Sequence, residues 1–136
     1  MFERGVEAEL RPACVQFGVG VIPYFPLASG LLTGKYRAGQ PIPPGTRFAA
    51  DERLQQQLTE EKLSKVAALE NAAREHGRTV GQLAMAWLLA QPQVCTVIAG
   101  ATRPEQVEEN AGAAGWELDT ATLERIATIL GAEDSA

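Results

Sequence analysis

The sequence predicts an α/β fold in which parallel strands are joined through helices. Two near-continuous apolar runs, GVGVIPYF (18–25) and CTVIAG (95–100), have the length and composition of strands covered on both faces. The segments around them carry apolar residues at helical spacing and recognisable caps. The order is helix, strand, long loop, two helices, strand, two helices. Strands separated by helices pair in parallel through βαβ connections.

Each element has its own reason. Residues 6–17 (VEAELRPACVQF) read as a helix whose regular part begins near Pro12, since proline suits a first helical turn and not an interior. Gly18 and Gly20 open the first strand. Residues 28–50, rich in Gly, Pro and Ala around IPPGTRF, read as one long loop, a length that in compact domains usually serves function. Thr59 starts a helix with Leu63, Val66, Leu69 and Ala73 on one face, and Gly77 after His76 suits its C-terminal end. Thr79 and Gln82 form a capping-box pattern for a helix with Leu83, Trp87 and Leu88 that stops near Pro92. After the second strand, Pro104 suits the first turn of a helix that fades at Gly112 and Gly115. Asp119 caps a last helix carrying Leu123, Ile126, Ala127 and Leu130, and the tail 131–136 is expected to be frayed.

Length and charge narrow the function. A length of 136 residues normally supports one domain, and a net charge of −5 argues against a broad nucleic-acid face, which must be basic. No apolar run approaches the roughly 20 residues that cross a bilayer, and MFERGVEAEL puts charges where a signal peptide would have its apolar core. A cytoplasmic protein is expected, with no membrane and no nucleic-acid partner. Cys14 and Cys95 stand alone, so neither a metal site nor a disulfide framework is predicted.

Two stretches could carry chemistry. In VIAGATRPEQVEEN (97–110), Gly100, Ala101 and Thr102 would leave backbone N–H groups open at a helix start, a setting that attracts anions. Arg103 adds a planar cation suited to phosphate, and Gln106, Glu109 and Asn110 follow it at three- and four-residue spacings on one helix face. The ordinary alternative is a capped helix with a solvated polar face. In YFPLASGLLTGKY (24–36), Tyr24 ends the first strand, where a flat ring could stack on a planar ligand, and Lys35 could meet a diphosphate. The ordinary alternative there is a core tyrosine, a glycine-containing loop and a surface lysine.

Together, IPYFPLASGLLTGKY and VIAGATRPEQVEEN, with HGRTVGQLAMAWLLAQPQV between them, resemble the C-terminal half of the aldo-keto reductase superfamily. The similarity runs from about Val6 to Leu130 and is to the branch that includes potassium-channel β-subunits and bacterial oxidoreductases. It implies the C-terminal part of a (β/α)8 barrel, incomplete, with about two of the eight strands. It also implies NADPH as cofactor and a small carbonyl compound as substrate of the complete barrel. By this resemblance Tyr24 stacks on the nicotinamide, Pro26, Leu27, Ala28 and Ser29 run beside the diphosphate, and Lys35 and Arg47 belong to the loop over the cofactor. Gly100, Ala101, Thr102 and Arg103 surround the adenosine 2′-phosphate, and Gln106, Glu109 and Asn110 hold that phosphate and the adenine. Arg103 favours NADPH over NADH by compensating the extra charge. Phe25 stands where the family usually has Ser, which removes a hydroxyl, and Ala99 replaces a common Pro.

The family's catalytic Asp, Tyr, Lys and His come from the first half of its barrel, and no residue here matches them. His76 and Tyr36 are expected to be structural. A barrel of this type needs about 250 residues. The sequence therefore implies the cofactor-binding portion of an NADPH-dependent aldo-keto reductase, inactive alone, whose partner is the missing N-terminal half. Competing with it are a non-enzymatic half-barrel that self-associates or docks on another protein, and an inactive remnant. The uncovered two-stranded sheet motivates the half-barrel reading.

Overall fold

The computed structural model describes residues 1–131. Among them are seven α-helices: α1 (Leu10–Phe17), α2 (Arg47–Ala50), α3 (Glu52–Gln55), α4 (Glu60–Glu75), α5 (Val80–Leu89), α6 (Pro104–Ala111) and α7 (Thr120–Leu130). Two 3-10 helices, Gly5–Glu7 and Ala28–Thr33, complete the regular structure.

The helix starts follow their side-chain caps. Thr59 accepts from the Lys62 N–H at the start of α4, and Asp119 accepts from the Thr122 N–H, 2.7 Å, at the start of α7. Thr79 and Gln82 close a full capping box on α5. At the end of α4, Gly77 takes φ +67, its N–H donates to the Arg74 carbonyl, and the Arg78 N–H donates to the Ala73 carbonyl. This paired closure requires a left-handed residue, which glycine adopts without strain.

The expected helix 6–17 divides into the 3-10 turn and α1, with Pro12 in the first turn of α1. The two expected strands are not extended ladders. A single parallel bridge joins Val21 to Val94, one residue before the predicted second strand. The Val21 N–H donates to the Gln93 carbonyl (2.7 Å), and the Cys95 N–H donates to the Val21 carbonyl (3.2 Å). Pairing is parallel, as predicted, but two short segments without flanking strands do not sustain more. The α/β class thus reduces among the described residues to helices around one bridge. Of the tail, only Gly131 is described, closing α7 in a left-handed conformation; residues 132–136 lie outside the described residues.

The core lies where α4 packs on α5 and α7, with the 28–50 segment folded against them. That segment is less of a loop than predicted. Leu31, Leu32, Tyr36 and Phe48 are buried, and the Tyr36 and Phe48 rings meet at 4.7 Å between centroids. Bidentate contacts from Arg37 to Glu70 on α4, at 2.7 and 2.9 Å, tie its middle down.

Ion pairs set the response to acid. Two hydrogen bonds from Arg4, both 2.7 Å, hold the Glu7 carboxyl below the ordinary carboxylate range. Hydrogen bonds from Lys65, Arg125 and Thr122 likewise hold Glu61, Glu75 and Asp119 low. Groups depressed in the folded state contribute stability above their unfolded pKa and lose it as pH falls through the folded values. The melting temperature is therefore expected to fall as pH drops below about 4, and more shallowly in Glu7→Gln than in wild type. Equal slopes for the two proteins would refute the assignment to Glu7.

Candidate nucleotide-binding site

The residues singled out in the sequence fall into two groups. The first surrounds the bridge. Tyr24 is 77% exposed, so the core-tyrosine alternative does not hold. Pro26 is buried behind it, and Tyr24, Pro26, Ala28 and Ser29 line a cavity of about 610 Å³. Its other walls come from residues 1–11 and from Trp87, Leu88 and Gln91 at the end of α5. Leu27 faces inward and packs against the core instead.

The backbone here is unusual. Phe25, Ala28 and Ser29 all have positive φ, at 53°, 48° and 59°. Side chains with a Cβ occupy this region at a cost, and such residues gather where a site imposes its own geometry. Phe25 is exposed, 5.1 Å from the Tyr24 ring in an edge arrangement, and the Arg47 guanidinium lies 5.9 Å from the Phe25 ring centre. The long segment therefore brings Arg47 next to Phe25. Phe25, noted in the sequence only as a departure, forms the link. Lys35 is exposed beside the buried Tyr36 and enters no ion pair among the described residues.

The second group is the start of α6. Ala101, Thr102 and Arg103 line a separate shallow concavity with Pro104, Val107 and Glu108. Arg103 is the N-cap, extended at φ −143° and ψ 148°, and its side chain makes no capping hydrogen bond. It is exposed and, among the described residues, unpaired with any carboxylate. A Cβ built on Gly100 meets nothing within 4 Å, so packing within the chain does not explain the glycine.

One expectation is corrected. The Thr102 N–H is not open: it donates to the Gln106 side-chain carbonyl at 2.8 Å, and the Thr102 hydroxyl shares the same acceptor at 3.1 Å. Gln106 thus closes the turn on itself and leaves only its amide N–H groups for a ligand. Glu109 and Asn110 lie one turn further along α6. What the turn offers an anion is chiefly the Arg103 fork. That fork, the exposed Tyr24 ring and the open space beside Gly100 are all accessible from outside the chain.

Sequence reasoning missed two other residues. Gln82 Nε2 donates to the Glu109 carbonyl (3.0 Å), and Arg78 Nη1 donates to the Gly112 carbonyl (3.0 Å), which attaches α6 to the start of α5. The capping-box pattern identifies Gln82 as a cap, but no local signal connects it to a residue 27 positions away. His76 is within 3.4 Å of the Thr122 hydroxyl and near Trp116, consistent with a structural role. Among the described residues no cluster of His, Cys, Asp and Glu suits a metal, and no helix is long and apolar enough to cross a membrane.

Residues 1–130 match the Aldo/keto reductase family, and the chain belongs to that family. It is 44% identical over 114 residues to a probable voltage-gated potassium channel subunit beta of Arabidopsis thaliana, an alignment covering 81% of this chain and 34% of the relative. It is 34% identical over 120 residues to the aldo-keto reductase yakc [NADP(+)] of Schizosaccharomyces pombe, covering 88% of this chain and 35% of the relative. Among solved structures, the glycerol dehydrogenase of Gluconobacter oxydans superposes with a TM-score of 0.80 at 29% identity, over 96% of this chain and 39% of that one. The fold is that of part of an aldo-keto reductase. The chain spans about a third of the length of the curated relatives it matches.

Proposed function

We propose that this chain is the C-terminal, NADPH-binding portion of an aldo-keto reductase barrel, and that reduction of a small carbonyl compound belongs to the barrel only when its other strands are supplied. The observation that carries the reading is that both motif residues are exposed, Tyr24 at the end of the bridged segment and Arg103, without an ion pair among the described residues, at the start of α6. Tyr24 would present a face for the nicotinamide, Ala28 and Ser29 a backbone beside the diphosphate, and Arg103 a cation for the 2′-phosphate. Bound NADPH would supply the hydride. The residues of this chain would hold and orient it, and none of them is assigned the proton transfer. The free thiols Cys14 and Cys95 suit the reducing cytoplasm.

The test is a titration of tryptophan fluorescence with NADPH and NADH. Saturable binding that favours NADPH supports the reading, and no saturable binding of either overturns it. The chain alone is expected to show no carbonyl-dependent NADPH oxidation.

A second reading rests on the apolar surface. Val15, Phe17, Val19, Ile22, Phe25 and Ile98 are all exposed, along α1 and the two bridged segments. Monomers rarely leave so much apolar surface open, which favours completion by an N-terminal half or by a second copy. Light scattering distinguishes these readings: a dimer supports self-association, and a stable monomer that binds NADPH supports completion by a different polypeptide.

A further inference from the structure

The attachment of α6 suggests a positioning role for a residue outside the nucleotide contacts. None of the residues of α6 is buried, so burial of apolar side chains does not fix this helix. It is held at its C-terminal end, where the last carbonyls of any helix lack partners within it. The Glu109 carbonyl receives the Gln82 amide and the Gly112 carbonyl receives the Arg78 guanidinium, each at 3.0 Å. A cation there also complements the negative end of the helix dipole.

Both donors are themselves held in place. Arg78 follows the left-handed Gly77 that closes α4, and its own N–H is bonded to the Ala73 carbonyl. Gln82 is fixed by the capping box: its Oε1 accepts from the Thr79 N–H at 3.1 Å while its Nε2 reaches α6. One side chain therefore serves two helices, with its acceptor starting α5 and its donor docking α6. Gly112 belongs to the same contact, because a Cβ there would lie 2.5 Å from Gln82 Nε2. Its φ of −62° would suit any residue, so a side chain there would act by displacing the Gln82 amide.

We infer that Gln82, with Arg78, is a positioning residue that sets where α6 points and so where Arg103 meets the 2′-phosphate of an adenine dinucleotide. The inference rests on the nucleotide-binding reading above. An eight-residue helix is about 12 Å long, so loosening its C-terminal end displaces the N-terminal end that carries Arg103.

Gln82→Glu is the informative variant. A carboxylate keeps the acceptor that the capping box needs, loses the donor to Glu109 and sets negative charge against a carbonyl. Gly112→Ala is the second variant. Without the contact it should be neutral or favourable to the helix, since alanine is the better helix former; with it, the added methyl displaces Gln82.

Hydrogen exchange on the full chain, paired with NADPH and NADH titrations, tests both. Amides of α6 are expected to exchange about tenfold faster in each variant, the effect of one lost hydrogen bond, with α5 protection unchanged. NADPH affinity should fall several-fold while NADH affinity holds. Unchanged α6 exchange, an unchanged NADPH to NADH ratio, or loss of α5 protection together with α6 would each overturn the positioning role. A wild-type chain that binds no NADPH would overturn the nucleotide reading and this inference with it, whereas normal NADPH binding in both variants would overturn the inference alone.

Discussion

Phe48→Ala is expected to destabilise the chain by about 3–5 kcal/mol, the range for removing a fully buried aromatic side chain. Phe48 has no exposed surface, packs on Tyr36, and belongs to the same cluster as Val66 and Leu69 of α4. The stability of a domain of this size is about 5–15 kcal/mol, so the variant should lose a large share of it. Phe48 also holds the end of the 28–50 segment against the helices, and Arg47 precedes it directly. Its loss should therefore release Arg47 from Phe25 as well. Urea unfolding followed by tryptophan fluorescence measures the effect, with the exposed Phe25 as the control: Phe25→Ala should move the midpoint little. If Phe48→Ala shifted the midpoint no more than that control, the segment would not be anchored in the core as described.

The same segment shows where sequence reading succeeds and where it stops. Helix starts were legible because caps act over three or four residues: Thr59, the Thr79–Gln82 box, Pro104 and Asp119 all stand where predicted. Leu31, Leu32, Tyr36 and Phe48 have no regular period, so nothing local revealed that the segment contributes to the core. The strands are shorter than their composition suggests for a different reason. The apolar runs 18–25 and 95–100 have the composition of buried strands, but a strand needs neighbours for its backbone groups, and these two segments have only each other, at Val21 and Val94.

The site divides in the same way. Spacing alone leaves Tyr24 and Arg103 with ordinary alternatives, and it is the resemblance to the family that singles them out; both are exposed. The Thr102–Gln106 contact lies within one helical turn and could have been anticipated from its four-residue spacing. The Gln82–Glu109 contact joins separate helices 27 positions apart, beyond the reach of any local pattern. The apolar residues left exposed, with Phe17 at 73% and Ile98 at 61%, follow from the same shortage of neighbours that limits the strands to one bridge.

Arg103→Ala is expected to weaken NADPH binding about 10- to 100-fold, the range for a charged hydrogen-bonding pair worth roughly 1.5–3 kcal/mol. NADH, which lacks the 2′-phosphate, should bind the variant as it binds wild type. The helix itself should survive, because the Arg103 side chain makes no capping hydrogen bond and Pro104 still occupies the first turn of α6. Thr102 and Gln106 also keep their mutual contacts. The change therefore separates recognition from folding. Arg103→Lys should recover part of the affinity, since an ammonium keeps the charge and loses the two-pronged geometry that matches phosphate. Added salt should weaken NADPH binding more in wild type than in Arg103→Ala, because screening acts on a charge the variant no longer has. Equal losses of NADPH and NADH affinity would instead indicate general damage to the fold, and no loss of either would remove Arg103 from the site.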